Sequence, residues 1–399
     1  MAASARSDDG ATPLLFLAPA PPSPTGGGGA LRMFQMLRFL GERFDVDLMA
    51  PVAPGAEETK QLLGRYCRSI ELVPSSAVLA WRRLARWSPY VKDPAFARAV
   101  HRRLAATQYG AVQLEKAAMI PYLPAGCREP LILDIWAYGL SGPMRALKEE
   151  RGLRRRARNL LRLTRFAAFD RLRWPDTYRL LVVSEIDRQR CLRARPGRDV
   201  MVVPNGVDCQ QFRPAPLVDG RPPVLIFTGD MGFDPNVAAA RLLAGEIFPA
   251  VREQVPEALL YLVGRNPGAE IRSLQGAAIT VTGEVPEMTP YLQQASVYVA
   301  PLHTGAGTRT KLLEAMAAGL AIVTTRIGIE GIEAGDRREV VIADDNRQFV
   351  AEILRLISNQ QERRRLGGAA RGLAERRYDW SQCLAPLAEL YETLLVKSS

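Results

Sequence analysis

The chain alternates short, strongly apolar runs with amphipathic helical stretches, and then does so a second time. LLFLA at 14–18, VDLMA at 46–50, SIELV at 69–73, AVQLE at 111–115, LILDIW at 131–136 and LLVVS at 180–184 form the first series. Short apolar strands separated by helices indicate a parallel sheet covered on both faces, because each crossover lays a helix over the sheet. VMVVPNGVD at 200–208 ends that series, and the following CQQFRPAPLVDGRPP, rich in proline and polar residues, reads as a linker. The pattern restarts with VLIFTG (224–229), LLYLVG (259–264), AITVTG (278–283), SVYVAP (296–301) and AIVTT (321–325), several of them ending in glycine. The expectation is an α/β chain of two doubly wound domains, residues 1–208 and 222–377, with a linker over 209–221. A helix over about 378–399 is expected to pack back on the first domain. A length of 399 residues favours two cores over one.

With 47% apolar and 24% charged residues the chain is globular rather than disordered. No stretch of eighteen residues is free of charges and turn formers, so no membrane-spanning helix is expected, and the proline-broken N-terminus is a poor signal peptide. Cys67, Cys127, Cys191, Cys209 and Cys383 are odd in number and lack C-x-x-C spacing, which fits a reducing cytoplasm without disulfides or zinc. Much of the net charge of +11 lies in RGLRRRARNLLRLTRFAAFDRLRW, residues 151–174. On a helix, Leu153, Leu160, Leu163 and Ala167 would share one face. Two readings stay open: a solvated surface helix, or peripheral contact with anionic lipid or a lipid-diphosphate acceptor at the inner face of the membrane. Nucleic acid is not expected, because no stacking aromatics accompany the charge.

Two glycine-rich stretches carry candidate chemistry. PPSPTGGGGALRMFQML (21–37) lies between the first strand and a helix, where doubly wound domains bind phosphate, although G-x-G-x-x-G spacing is absent and a plain flexible loop is the competing reading. GAGTRTKLLEAMAAGLAIVTT (305–325) passes from glycine loop to helix to buried strand. A helix starting near Thr308 would aim free N–H groups at an anion, with Arg309 and Lys311 beside it. Glu314 repels phosphate but accepts hydrogen bonds from paired sugar hydroxyls, so the two together suggest a nucleotide-sugar. Asp45-Val46-Asp47 matches the D-x-D form that holds divalent ions elsewhere, but its place in an alternating strand makes it structural, and no metal is expected. His101 reads as a surface residue. His303, beside the glycine loop, either touches the donor or makes a structural hydrogen bond.

Pro301, Gly305, Lys311, Glu314, Ala315, Gly319 and Gly328-Ile329-Glu330-Gly331, together with VPNGVD at 203–208 and VTGEVPEMTPYLQQASVYVAPL at 281–302, resemble the GT-B retaining glycosyltransferases of family 4. Within that family the chain looks most like the sugar transferases of exosortase and exopolysaccharide systems. The resemblance implies two Rossmann-like domains facing across a cleft, a nucleotide-diphosphate-sugar as co-substrate, no cofactor, and a saccharide or lipid-linked acceptor. It implies that Glu314 accepts from ribose hydroxyls and that N–H groups near Thr310 and Lys311 hold the diphosphate. Gly283, Glu284 and Val285 would border the base, and Gly27 and Gly28 would meet the donor from the other domain. Gly229, His303, Gly305, Gly307, Thr308 and Leu312 complete the expected donor surface. Arg309 and Lys311 would stabilise the leaving diphosphate, while Asp134, with Glu115, would contact the acceptor. The chain departs from the family at Ala306, where a glutamate is common, and at Asp234 and Asn236, where many members carry Arg and Lys. A nucleotide-sugar epimerase of the same architecture and a non-catalytic nucleotide-sugar binder are the alternatives.

Overall fold

The computed structural model describes residues 12–25, 27–52, 55–74, 93–136, 178–215, 221–305 and 307–396, with Gly152, Ala157, Leu160, Leu161 and Thr164 between them. Ala306 and nearly all of the arginine-rich stretch lie outside the described residues. The chain divides into two compact units, Met1–Val203 with Leu384–Ser399, and Pro204–Cys383.

Among the described residues of the first unit, seven strands form one sheet. They are β1 (Leu14–Leu17), β2 (Val46–Pro51), β3 (Ser69–Val73), β4 (Ala111–Glu115), β5 (Leu131–Ile135), β6 (Tyr178–Val182) and β7 (Val200–Val202). Their order is β3-β2-β1-β4-β5-β6-β7, and every pairing is parallel. β1, β4 and β5 are buried along their whole length, as strands covered on both faces must be. The sheet reverses its winding between β1 and β4, and the Gly28–Gly41 helix follows β1 there. The Trp380–Val396 helix carries the chain back into this unit, where Leu387 and Tyr391 are fully buried and the Tyr391 hydroxyl bonds to Gln113 Oε1.

The second unit repeats the plan with β8 (Val224–Thr228), β9 (Leu259–Val263), β10 (Ile279–Gly283), β11 (Val297–Ala300), β12 (Ala321–Thr324) and β13 (Val341–Ile342), in the order β10-β9-β8-β11-β12-β13. Its switch point lies between β8 and β11. The stretch read as a linker is partly built into this unit. Cys209 and Phe212 are buried, and Arg371 donates to Cys209 O (2.9 Å) and Phe212 O (2.6 Å).

Glycines close three neighbouring strands for a steric reason. Gly264, at φ +146°, lies so close to the turn after β8 that a Cβ there would fall 1.8 Å from Gly229 O. Gly229 N in turn donates to Val263 O (3.0 Å), and Gly264 N to Gly283 O (3.1 Å), so the strand ends are tied to one another where ligands bind in such sheets.

Candidate donor site in the second unit

Two helices bring the site's polar groups to the end of β8. The Asp234–Leu242 helix starts after the Gly229–Phe233 turn, and the Thr310–Ala317 helix starts after the glycine loop that follows β11. Asn236 is buried, and its Nδ2 donates to Asp230 O at 2.8 Å, which orients the amide so that Oδ1 accepts from Lys311 Nζ at 2.6 Å. The ammonium lies 4.7 Å from the centroid of the Phe227 ring and beside Gly229, where a Cβ would sit 2.5 Å from Nζ. Only glycine leaves room for the lysine head group at this point.

Burial lowers the Lys311 pKa to about 7, with the Glu314 carboxylate opposing and the Arg309 charge adding to the effect. Burial likewise raises Glu314 to about 7, against the pull of Lys311. The two lie one helical turn apart and act on each other electrostatically, so the charge of each responds to what binds beside it. Beneath them Tyr298 and Thr228 share a hydrogen bond of 2.8 Å. Asp230 is held by Arg265 (3.0 Å), Asn266 (3.2 Å) and the Gly232 N–H (3.0 Å), which fixes the turn after β8.

Arg309 folds back over its own loop. Its guanidinium donates to Gly307 O and Ile327 O and lies 3.0 Å from where a Gly305 Cβ would be. Gly305 and Gly307 both have positive φ, +111° and +79°, which makes this close wrap possible. Thr308 is buried, Thr310 half-buried and His303 exposed. The helix begins without a side-chain cap. The Thr325 hydroxyl accepts from Gly328 N (2.8 Å) and donates to Leu302 O, pinning the chain behind the loop.

Gly229, Gly305, Gly307, Thr308, Arg309, Thr310, Lys311 and Glu314 thus come together around the ends of β8 and β11. Gly283, Glu284 and Val285 lie at the end of β10, and Glu284 is exposed. Leu312 differs from expectation. Its side chain is fully buried in the core, so it supports the helix and offers no surface to a donor. Gly27 and Gly28 are in the first unit, at the exposed start of the Gly28–Gly41 helix, with Gly27 O accepting from Ala30 N and Leu31 N.

Asp134 also differs. Its carboxylate accepts two bonds of 2.7 Å from Arg32 and one of 3.1 Å from Trp136 and is fully buried, so it is not presented to an acceptor. Glu115 is equally buried. Asp47 of the D-x-D match is enclosed by Arg68 (3.0 Å), Ser69 (2.7 Å) and Tyr109 (2.7 Å). Burial alone would raise it, but these bonds and Arg103 bring it down to about 2, as suits a structural ion pair. Sequence reasoning missed Asn236 as the partner of Lys311, since it stood out only as a departure from the family pattern. It also missed Arg32, which is buried and bonded to Asp134.

Comparison with known proteins follows the same division. Residues 222–359 match the family described as Glycosyl transferases group 1. A phosphatidyl-myo-inositol mannosyltransferase of Mycolicibacterium smegmatis is 32% identical over 226 residues, which are 54% of this chain and 57% of the relative. The match thus spans little more than half of either protein. Sucrose-phosphate synthase of Thermosynechococcus elongatus superposes with a TM-score of 0.71 at 18% identity, covering 97% of this chain and all of that one. HepE of Anabaena, solved with UDP and glucose, superposes with 0.68 at 14% identity, covering 96% and 99%. Residues 222–359 are therefore similar to the Glycosyl transferases group 1 family, within a chain that has the GT-B fold.

Proposed function

We propose that the protein is a retaining, metal-independent glycosyltransferase that moves a hexose from a nucleotide-diphosphate-sugar to a saccharide or lipid-linked acceptor in polysaccharide or glycoconjugate synthesis. The observation that carries this reading is the Lys311 head group, held by Asn236 at the end of β8 with Glu314 one turn further along the same helix. A diphosphate placed there meets the ammonium and the helix-start N–H groups of Thr310 and Lys311, and the carboxylate of Glu314 is free to take ribose hydroxyls. The relatives' name points to mannose as one sugar to try, and the HepE complex pairs a uridine nucleotide with a hexose. In the reaction the anomeric carbon loses its bond to the diphosphate oxygen and gains one to the acceptor oxygen on the same face. The acceptor proton passes to the departing phosphate. Catalysis is then positioning plus stabilisation of the charge on the leaving diphosphate, with Lys311 the principal cation and Arg309 shaping the loop.

A panel of nucleotide-sugars followed by thermal shift tests the reading, because a ligand that binds the folded state raises the melting temperature. At least one nucleotide-sugar is expected to stabilise the wild-type protein and to be slowly hydrolysed without acceptor. Stabilisation without hydrolysis or transfer would leave a binding protein, and no stabilisation by any donor would overturn the assignment.

A further inference from the structure

The end of the first unit's sheet carries a second assembly that the donor site does not use. Lys116 follows β4 directly at φ 76°, ψ 149°, a backbone region that is otherwise almost confined to glycine. Two backbone bonds hold it there: its N–H donates to Asp134 O at 3.0 Å, and its carbonyl accepts from Met119 N at 3.0 Å. The conformation sets the ammonium 3.7 Å from the centroid of the Trp136 ring, where burial lowers its pKa against the pull of Glu115 and Asp134. That ring is itself locked, because its Nε1–H reaches Asp134 Oδ2 at 3.1 Å and Glu115 Oε2 at 3.4 Å. Gly29 makes room for it, since a Cβ there would fall 1.8 Å from the indole Cζ3.

The carboxylates beneath, Glu115 and Asp134, act on the lysine but make their hydrogen bonds to other groups. Arg32 pairs with Asp134, and burial, with the charge of Asp134, raises the Glu115 pKa. Among the described residues Lys116 forms no ion pair. A strained backbone, a fixed aromatic ring and a lysine without an ion-pair partner among the described residues meet at the strand end beside the switch point, where ligands of parallel sheets bind. Local strain that the surrounding structure maintains points to function.

We propose that Lys116 and Trp136 form an acceptor subsite that selects a negatively charged acceptor. The ammonium takes a carboxylate or phosphate group, and the indole face it now covers receives the adjoining sugar ring. This rests on the transferase reading, in which the first unit meets the acceptor. The shared chemistry is an anion next to an apolar or sugar surface, whether from an acidic saccharide or from a phospholipid head group.

The test titrates the wild-type protein with methyl glucuronide, glycerol phosphate and neutral methyl glucoside while tryptophan emission is followed. The charged probes are expected to change the emission as the ammonium leaves the ring, and the neutral one to do so only at much higher concentration. The stronger of the two charged probes identifies the source. Lys116→Gln is expected to weaken the charged probe roughly tenfold or more and to leave the nucleotide-sugar thermal shift unchanged. Lys116→Gly should also lose the charged probe while melting no lower than wild type, because it relieves the backbone. Trp136→Phe should abolish the emission change. Equal responses to charged and neutral probes, or full affinity in both Lys116 variants, would overturn the proposal. A charged-probe response without any nucleotide-sugar binding would leave the subsite standing and remove the transferase reading instead.

Discussion

Lys311 is a residue whose charge is set by its surroundings rather than by its type. Burial brings its pKa to about 7, so it is part ammonium and part amine at neutral pH, and a diphosphate favours the ammonium. Below pH 7 the proton is already present, so the titration of Lys311 should add no pH dependence to nucleotide-sugar affinity there. Above pH 7 binding must take up a proton, and affinity should fall with a slope approaching roughly tenfold per pH unit. Calorimetry at pH 8 in two buffers of different ionisation enthalpy would register the uptake, and Lys311→Met should remove both the uptake and the slope. A flat wild-type profile would take Lys311 out of contact with the diphosphate. Glu314 offers a second check. At pH 8 its carboxylate is mostly ionised, so Glu314→Gln exchanges a charged acceptor for a neutral one. That exchange should cost about 1.5 to 3 kcal/mol, at least roughly tenfold in donor affinity, with the melting temperature no lower than wild type. Unchanged affinity would place the ribose elsewhere. Both residues were legible as site candidates because a glycine loop running into a helix is a local pattern. Their shifted pKa values were not, since these come from burial by residues far off in the chain, such as Phe227 and Asn236.

At the scale of elements, the inner strands were legible because a parallel strand buried on both faces needs an unbroken apolar run, while β3 and β10 at the sheet edges are largely half-buried. β13, only two residues long, gives no such signal. The segment after Asp208 looked like a linker because its composition is polar and proline-rich, yet Arg371 on the Gln360–Leu373 helix gathers its carbonyls and makes it part of the second unit. The Gly28–Gly41 helix packs through buried Met33, Met36, Leu37 and Leu40, and the bidentate Arg32–Asp134 pair ties it to β5. Removing one partner strands the other charge in the core, so Arg32→Met should lower the stability of the protein by about 3 to 5 kcal/mol in urea unfolding. A loss within about 0.5 kcal/mol, as for an ordinary surface substitution, would show that the pair does not anchor the helix.

For the whole molecule the excess of positive charge and the choice of chemistry are the properties left to test. Transfer should continue in EDTA, because the one D-x-D match is consumed by Arg68, Ser69, Tyr109 and Arg103, and Lys311 is available to meet diphosphate charge. Loss of transfer in chelator, restored by magnesium or manganese, would contradict a metal-free mechanism. Replacing Arg154, Arg155, Arg156 and Arg158 by Gln should reduce sedimentation with anionic vesicles at low salt, at on the order of 1 kcal/mol per arginine near the surface, and leave donor affinity unchanged. A wild-type protein that ignores such vesicles would exclude membrane contact through these arginines. The sequence by itself determined the α/β class, the two successive sheets and the loop-to-helix stretch around Lys311, because each is written in contiguous residues with a period or a run. Tertiary structure alone decided that Asp134 and Glu115 are buried rather than presented to an acceptor, that Leu312 belongs to the core, and that Asn236 holds Lys311. Those outcomes depend on which distant side chains share a strand end, and the order of parallel strands in a sheet is fixed by crossovers and packing rather than by any local run of residues.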